Sequence, residues 1–449
     1  MGRTFLHRRT QDNIHTSAAA LGRNVSMVKY TVKKVAETAA KQLGPGLVTG
    51  AADDDPSGIA TYSQAGAQFG FSLLWTVFLT TPFMIAIQLV SAEIGRVTGK
   101  GIAANAQEIA PKWAVLGLVV LLLVANTVNI AADIAAMGEA LYLLVGGLKH
   151  EHTLIFAAAS VMLQVFVPYH RYASLLKWMT LVLFAYVAMI FSVHISWGEV
   201  ILGTLIPVIS FKADYLTLVV AVLGTTISPY LFFWQASQEV EEMHRGRRAK
   251  PLKRSKDGKS EITRITRDTI IGMIISNIIS YAIVLTTAAT LHTHGVTNIQ
   301  TAADAANALR PIAGEFAFLL FAVGIIGTGM LAVPVLAGSA AYAVGDLFGW
   351  RSTLEARFPE AFGFYAIIFA ATLIGFALTF TSIDPIKMLV WSAVINGFVA
   401  VPLMAIMMII VSKTEAMGRF RAKGKLVILG WAATALMAVT VLAMIVSSI

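Results

Sequence analysis

The sequence of 449 residues has no cysteine, few charged side chains and no segment that resembles a soluble domain. Without cysteine the chain forms neither disulfides nor thiolate metal ligands. Only 13% of its residues are charged, whereas 57% are hydrophobic and the mean hydropathy is +0.73. No nucleophile–base pair stands out either. The composition therefore argues against a soluble enzyme and predicts an all-α integral membrane protein.

The first 43 residues lack the short apolar core and small-residue cleavage site of a signal peptide. They are polar and basic, so we expect residues 1–43 to form a cytoplasmic tail. Residues 44–449 are then one transmembrane transporter domain, because no other polar stretch is long enough to fold by itself.

Eleven apolar stretches approach or exceed the length of about 20 residues that crosses a bilayer. They lie at 44–69, 71–94, 114–146, 153–168, 173–194, 215–240, 268–291, 314–344, 362–380, 385–411 and 425–447. The loops then alternate between the two sides of the membrane. Of the 34 Lys and Arg residues, all but four fall on the side of the N-terminus, and the exceptions are Lys149, Lys212, Arg310 and Lys387. This asymmetry predicts a multi-pass protein of the inner membrane, with the N-terminus in the cytoplasm and the C-terminus outside.

The formal net charge of +9 also fits a nucleic-acid-binding protein, and basic side chains cluster between residues 245 and 259. Basic clusters beside membrane spans are, however, typical topology signals that attract anionic lipid headgroups. We therefore predict contact with the lipid bilayer and no nucleic acid. No obligate protein partner is evident.

The first and sixth stretches each carry a helix-breaking polar cluster at the midpoint, at residues 53–58 and 225–230. Pro56 and Pro229 each remove a backbone donor there. Backbone without helical hydrogen bonds is tolerated at membrane depth only where protein or water surrounds it, so paired breaks indicate a transporter's substrate site. An odd number of spans per half predicts a LeuT-like fold. Its two inverted five-helix repeats cover about 44–194 and 215–411, and a peripheral helix covers 425–447.

The residues at the breaks favour a hard cation. Asp55 precedes Pro56 directly and is the first ligand candidate. Asp53 and Asp54 are also candidates, although either can instead cap a half-helix, pair with another residue or stay protonated. In the sixth stretch the candidates are the Thr225 carbonyl and Ser228. Oxygen ligands suit Mg²⁺ and Ca²⁺. The alternative is that Ser228 and Thr225 only satisfy the backbone around a proline kink.

The sequence resembles the NRAMP family of divalent-metal transporters, most specifically over residues 44–104. The matching segments are Gly44-Pro45-Gly46, Asp55-Pro56, Gln64-Ala65-Gly66-Ala67, Leu74-Trp75, Gln88-Leu89-Val90-Ser91-Ala92, Val97-Thr98-Gly99-Lys100 and, more weakly, Ala132-Asp133. The resemblance implies eleven helices, a LeuT-like fold with helices 1 and 6 broken, and inward movement of divalent metal.

The sequence departs from the family pattern at both breaks. The family's Gly-Asn after Asp-Pro is Ser57-Gly58 here, which removes an amide ligand at Gly58. The family's Met-Pro-His is Ser228-Pro229-Tyr230, which removes the thioether that favours soft metals. This pattern is similar to that of the NRAMP-related magnesium transporters. We therefore expect import of Mg²⁺, Mn²⁺ or both, through a partly hydrated site where Ser57, Ser228 and Asp54 hold water.

Proton coupling has little support in the sequence. Asn126, Asn129 and Asp133 share one face of the third span, but only Asp133 is acidic. The family pattern has acidic residues where this sequence has Asn126 and Ala136. It has histidines where this sequence has Tyr230 and Gln235. We therefore expect transport without obligatory proton coupling. The asparagines line a pathway or, alternatively, form hydrogen bonds between helices.

Two further amides, Gln88 and Asn396, match family positions near the metal pathway or simply join helices. Tyr230 completes the predicted pathway. We expect no bound cofactor, because the cation is the substrate. Two other functions stay open: a non-transporting membrane sensor with a transporter fold, and an ion-coupled carrier of a small organic cation.

Overall fold

The computed structural model describes most of the chain beyond the N-terminal tail. The described residues are 45–167, 181–245, 250–254, 258–299, 301–354, 356, 358–381 and 383–448. Helices are the only regular secondary structure among them. The predicted cytoplasmic tail, residues 1–43, lies outside the described residues, and so do residues 173–180 of the fifth predicted span.

Twelve helices correspond to the predicted spans within this part of the chain. They are α1 Pro45–Asp53, α2 Pro56–Phe69, α3 Leu74–Thr98, α4 Lys112–Val145, α5 Lys149–Phe166, α6 Ala213–Thr226, α7 Pro229–Arg245, α8 Lys259–Thr290, α9 Ala317–Phe348, α10 Phe362–Leu378, α11 Pro385–Ser412 and α12 Lys425–Ser447. Short α-helices cover Ile102–Ala106, Phe184–Met189, Trp197–Leu205, Ala302–Asn307, Arg310–Ala313 and Thr414–Met417. Single 3₁₀ turns cover Gly70–Leu73, Leu181–Leu183, Leu252–Arg254, His292–His294, Gly314–Phe316, Phe358–Ala361 and Gly418–Phe420.

Eight helical stretches of the described residues are long and apolar enough to cross a membrane. The difference from eleven has structural causes. The first break leaves α1 with only 9 residues, while Pro56–Thr98 counts as one stretch of 43. The fourth predicted span, α5, has 18 residues and is not among the eight. The fifth predicted span is described only in part, as the 3₁₀ turn Leu181–Leu183 and the helix Phe184–Met189. The number of eleven spans stays a prediction.

The broken first helix lies along the unbroken helix α8. A Cβ atom on Gly50 of α1 would lie 2.4 Å from the carbonyl oxygen of Gly272, and one on Gly66 of α2 would lie 2.3 Å from that of Val284. These glycines are needed because the two backbones touch. Since the residue numbers rise together, the helices run parallel, and α8 holds both halves of the broken helix in place.

The broken sixth helix is supported in a similar way by α11. A Cβ atom on Gly224, near the end of α6, would lie 2.1 Å from the carbonyl oxygen of Ala393. The other half, α7, packs on α9, where Gly338 lies against the ring of Trp234. The two largest aromatic side chains at the breaks, Tyr62 and Tyr230, are fully buried. Both breaks therefore lie inside the helix bundle and not on its lipid-facing surface.

Candidate functional site

The first helix breaks at the predicted position, and Asp55 is the residue that restarts it. α1 ends at Asp53, and Asp55 has extended backbone angles of φ −72° and ψ 170°. Its Oδ1 accepts a hydrogen bond of 2.7 Å from the Gly58 amide, which makes Asp55 the N-cap of α2. Pro56 follows at the first helical position, where a missing N–H is harmless. The carboxylate therefore lies at the positive end of a helix dipole.

The sixth helix also breaks as predicted, between Thr226 and Pro229. Here the hydroxyl of Ser228 points back to the end of α6. Its Oγ lies 2.6 Å from the carbonyl oxygen of Thr225 and 3.1 Å from that of Gly224. Ser228 therefore satisfies the freed backbone, as the kink alternative predicts. A carbonyl oxygen has two lone pairs, so that of Thr225 can still accept a ligand.

The two breaks meet in the structure. A Cβ atom on Gly58 would lie only 3.1 Å from the Thr225 hydroxyl. The Tyr62 hydroxyl of α2 lies 3.0 Å from Oγ1 of Thr226. Residues far apart in the sequence thus form one buried site, as the paired breaks predict.

Three helices converge on the carboxylate of Asp55, which is 1% exposed. Its Oδ2 accepts hydrogen bonds from the Asn129 amide at 3.2 Å and from the Tyr230 hydroxyl at 3.3 Å. Asn129 in turn accepts a hydrogen bond of 3.0 Å from Ser392 of α11. Donors of this kind favour the charged form of a carboxyl group, and they hold Asp55 in place between α2, α4 and α7.

The other two aspartates of the first break contact α8. The Ser276 hydroxyl lies 2.6 Å from Oδ2 of Asp53 and 3.1 Å from Oδ1 of Asp54. Ser280 lies 3.5 Å from the same oxygen of Asp54. The structure therefore places Asp54 beside α8, without a hydrogen bond to Asp55 or to the sixth break. Its predicted role in holding water at the metal has no direct contact to support it.

The third-span residues divide between the site and the neighbouring helices. Asn129 contacts Asp55, whereas the Asn126 amide donates to the Leu336 carbonyl at 2.9 Å and to Ser339 at 2.8 Å. Asn126 therefore joins α4 to α9, which is the interhelical alternative. Asp133 is fully buried and interacts electrostatically with Asp55. Neither of its carboxylate oxygens has a hydrogen-bond partner among the described residues.

Gln88 and Asn396 lie at the level of the sixth break. Ser91 of α3 donates to the Phe232 carbonyl of α7. Since α3 runs parallel to α7, Gln88, one turn before Ser91, lies near Pro229. Asn396 adjoins Gly397, whose amide nitrogen would lie 2.5 Å from a Cβ on Gly224. Both side chains are buried, and their amide atoms lack partners in the part of the chain that the structure describes. Buried side-chain amides nearly always have hydrogen-bond partners, so Gln88 and Asn396 indicate a polar environment beside the sixth break.

Three serines of the site were not predicted from the sequence. Ser276 and Ser280 contact Asp53 and Asp54, and Ser392 contacts Asn129. Ser276 and Ser280 are four residues apart in an apolar helix, so they share one face. That spacing was a usable signal. Nothing local showed which helix they face, because this depends on how α8 packs along α1.

The family model described as "Natural resistance-associated macrophage protein-like" matches residues 46–447 of the chain. The divalent metal cation transporter MntH of Vibrio campbellii is 29% identical over 325 residues, which cover 70% of this chain and 71% of that protein. MntH of Klebsiella pneumoniae strain 342 is 25% identical over 403 residues, covering 88% and 91%. These relatives are transporters and not enzymes, in agreement with the prediction.

Solved structures share the fold. The manganese transporter of Eremococcus coleocola superimposes with a TM-score of 0.72 at 16% identity, covering 92% of this chain and 86% of that one. MhsT in complex with L-phenylalanine gives a TM-score of 0.59 at 14% identity, covering 91% and 98%. Both likenesses support the predicted transporter fold. The family match extends over nearly the whole described domain, from α1 to α12, and the chain therefore belongs to the NRAMP family.

Proposed function

We propose that this protein imports Mg²⁺, Mn²⁺ or both across the inner membrane, through a site between the two helix breaks. The observation that carries the proposal is the position of the Asp55 carboxylate, which is buried where α2, α4 and α7 meet, beside the sixth break. Relatives named as divalent metal cation and manganese transporters support the class of substrate. The cation is the cargo, and we propose no resident cofactor.

The ligand set that we propose consists of oxygen atoms only. Asp55 supplies the charge, and the Thr225 carbonyl supplies a neutral oxygen from the end of α6. Ser57 and Ser228 hold water of the hydration shell. The Ser57 hydroxyl is buried beside the carboxylate of Asp55, which places it for this role. Asp53 and Asp54 contact Ser276 on the α8 side of the break.

Size and softness of the site favour a hydrated, hard cation. Mg²⁺ gives up its water reluctantly and is usually bound through one or two carboxylates with waters retained. Gly58 and Ser228 are small, which leaves room for those waters. Ser228 also provides no thioether for soft metals such as Cd²⁺. Gln88 and Asn396, buried at the same level, are suited to hydrogen-bond the outer waters.

Transport in this proposal does not require protons to move with the metal. A relay needs successive titratable groups, and Asn126 is instead engaged with α9. Asp133 is the remaining acid on that face of α4. We further propose that the N-terminus is cytoplasmic and the C-terminus is outside, as the distribution of basic residues predicts, with basic loops against anionic headgroups.

Flux into proteoliposomes tests the proposal directly. We expect Mg²⁺ and Mn²⁺ to enter, without a matching pH change inside the vesicles. Ser228→Met restores a thioether at the sixth break, and we expect it to raise the Cd²⁺ to Mg²⁺ flux ratio by about tenfold, in line with the preference of sulfur for soft ions. Ser210→Met, at a half-buried position between the short helix Trp197–Leu205 and α6, is the matched control.

Four results would contradict the proposal. Wild-type protein that moves Cd²⁺ but not Mg²⁺ would refute the selectivity argument. Acidification in fixed proportion to metal entry would refute uncoupled transport. Binding of Mg²⁺ without any flux would identify a sensor, whereas competition by amines but not by Mg²⁺ would identify a carrier of organic cations.

A further inference from the structure

The hydroxyl of Tyr230 contacts both the candidate metal ligand and the end of helix α1. It lies 3.0 Å from the carbonyl oxygen of Ala52 and 3.3 Å from Oδ2 of Asp55. Tyr230 is fully buried, and Ala52 is 1% exposed. A hydroxyl has one hydrogen, so at any moment it is directed mainly to one of these two acceptors.

Ala52 lies in the last turn of α1, where carbonyl groups have no partner within the helix. Tyr230 therefore caps α1 from α7. Three other side-chain contacts tie α1 to its neighbours: Asp268 accepts from the Gly46 amide at 2.7 Å, Thr49 lies 2.5 Å from Oε1 of Gln235, and Ser276 lies 2.6 Å from Oδ2 of Asp53. None of those contacts reaches Asp55. Tyr230 alone among these four ties touches the carboxylate where the cation is proposed to bind.

Charge decides which acceptor receives the hydrogen. An unliganded carboxylate is a stronger acceptor than a backbone carbonyl. A cation bound to Asp55 neutralises the carboxylate and occupies its lone pairs. The Tyr230 hydrogen is then directed to Ala52, and the contact between α7 and α1 becomes stronger.

We propose that Tyr230 is the positioning residue that couples cation binding at Asp55 to closure of helix α1. This inference rests on the proposed function, because it requires a cation at Asp55. It adds a consequence that the ligand set does not imply: a loaded site holds α1 more firmly than an empty one. The residue acts through its hydroxyl and is not itself a metal ligand.

The sequence contains no cysteine, so a single introduced thiol is the only one that an alkylating reagent can modify. Val48→Cys places a thiol on α1 at a half-buried position. We expect 10 mM Mg²⁺ to slow its alkylation by N-ethylmaleimide about fivefold, the effect of a tie worth about 1 kcal/mol. In Val48→Cys with Tyr230→Phe, the ratio of rates without and with Mg²⁺ falls to about one, because the tie that Mg²⁺ strengthens has been removed.

The matched control is Tyr365→Phe in the same Val48→Cys background. Tyr365 of α10 is a buried tyrosine whose hydroxyl also donates to a backbone carbonyl, that of Ala356 at 2.9 Å, and it has no part in the proposed site. We expect it to keep the protection by Mg²⁺. Tyr230→Phe retains the packed ring, and Asp55 keeps the donors Gly58 and Asn129. Calorimetric titration of each variant measures Mg²⁺ binding independently of alkylation.

The outcomes separate this inference from the proposed function. Loss of protection in Tyr230→Phe, with Mg²⁺ binding retained and Tyr365→Phe unaffected, supports the coupling. Protection that persists in Tyr230→Phe overturns it, and so does Mg²⁺ binding to the parent without any protection. A parent that binds neither Mg²⁺ nor Mn²⁺ overturns the proposed function, and the coupling with it.

Discussion

The two helix breaks solve the same backbone problem by different means. The first break carries three adjacent aspartates, and its side chains are stabilised from outside by Asn129, Tyr230 and Ser276. The sixth break carries no charge, and Ser228 satisfies its carbonyls from within. One break depends on its neighbours, whereas the other is largely self-sufficient.

The difference follows from the cost of burying charge. A carboxylate in the membrane interior is tolerated only with donors, cations or protons near it, whereas a carbonyl needs a single donor. The first break therefore provides the electrostatic attraction for a cation, and the packing of three other helices fixes its geometry. The sixth break provides a neutral oxygen in a position set by its own local structure.

We expect the greatest loss of Mg²⁺ uptake from substitutions of Asp55. Two variants distinguish the charge of Asp55 from its role as N-cap. Asp55→Ala removes both, and Asp55→Asn keeps an oxygen for the Gly58 amide but removes the charge. We expect both variants to lose Mg²⁺ uptake by at least about 100-fold, since even outer-shell changes cost 10- to 100-fold at metal sites. Uptake into proteoliposomes measures this loss.

Thermal unfolding of the same variants provides the control. Asp55→Asn keeps the cap, but its NH2 group takes the place of the oxygen that accepts from Asn129, so we expect a loss of about 1 kcal/mol. Asp55→Ala also removes the cap and should lose about 1 kcal/mol more, the typical value of an N-cap. Full uptake in Asp55→Asn would show that the charge of the first break does not attract the cation.

The next prediction compares a donor from a neighbouring helix, at the first break, with a donor from within the break itself, at the sixth. Ser276→Ala removes the closest donor to Asp53 and Asp54, and we expect it to cost about 2 kcal/mol of stability, because a buried charged group loses its partner. Ser228→Ala removes a hydroxyl next to a neutral carbonyl and should cost about 1 kcal/mol or less. Unfolding of the purified protein in mixed micelles with increasing SDS measures both. Equal losses would remove the distinction between the two breaks.

The smallest effect concerns the contact between the breaks. A methyl group at Gly58 would lie 3.1 Å from the Thr225 hydroxyl, so one of them has to move by a few tenths of an ångström. We expect Gly58→Ala to reduce Mg²⁺ uptake about threefold, which corresponds to about 0.7 kcal/mol.

The control removes the close contact between the methyl group at position 58 and the Thr225 hydroxyl. Thr225→Ala removes the hydroxyl but keeps the carbonyl that we propose as a ligand, so the double variant with Gly58→Ala should regain most of the uptake. A double variant that is worse than either single change would indicate that the Thr225 hydroxyl itself contributes to the site.

Much of the architecture was predictable because apolar length and proline position act locally. The breaks at Pro56 and Pro229 appear where the sequence places them. The meeting of the breaks was predictable from their matched positions and from the family resemblance. The supporting residues were less predictable: Asn126 and Asn129 share a helical face, yet one contacts α9 and the other contacts Asp55.

An apolar helical chain, two interrupted helices and a carboxylate directly before one interruption follow from the amino-acid sequence alone. Runs of apolar residues, proline and charge have the same meaning whatever surrounds them. The partners of the aspartates come from the packing of the helices: Asp55 meets Tyr230 and Asn129, while Asp53 and Asp54 meet Ser276. Adjacent side chains leave a helix end in different directions, so their partners depend on which helix packs on each side, and that is a property of the whole bundle.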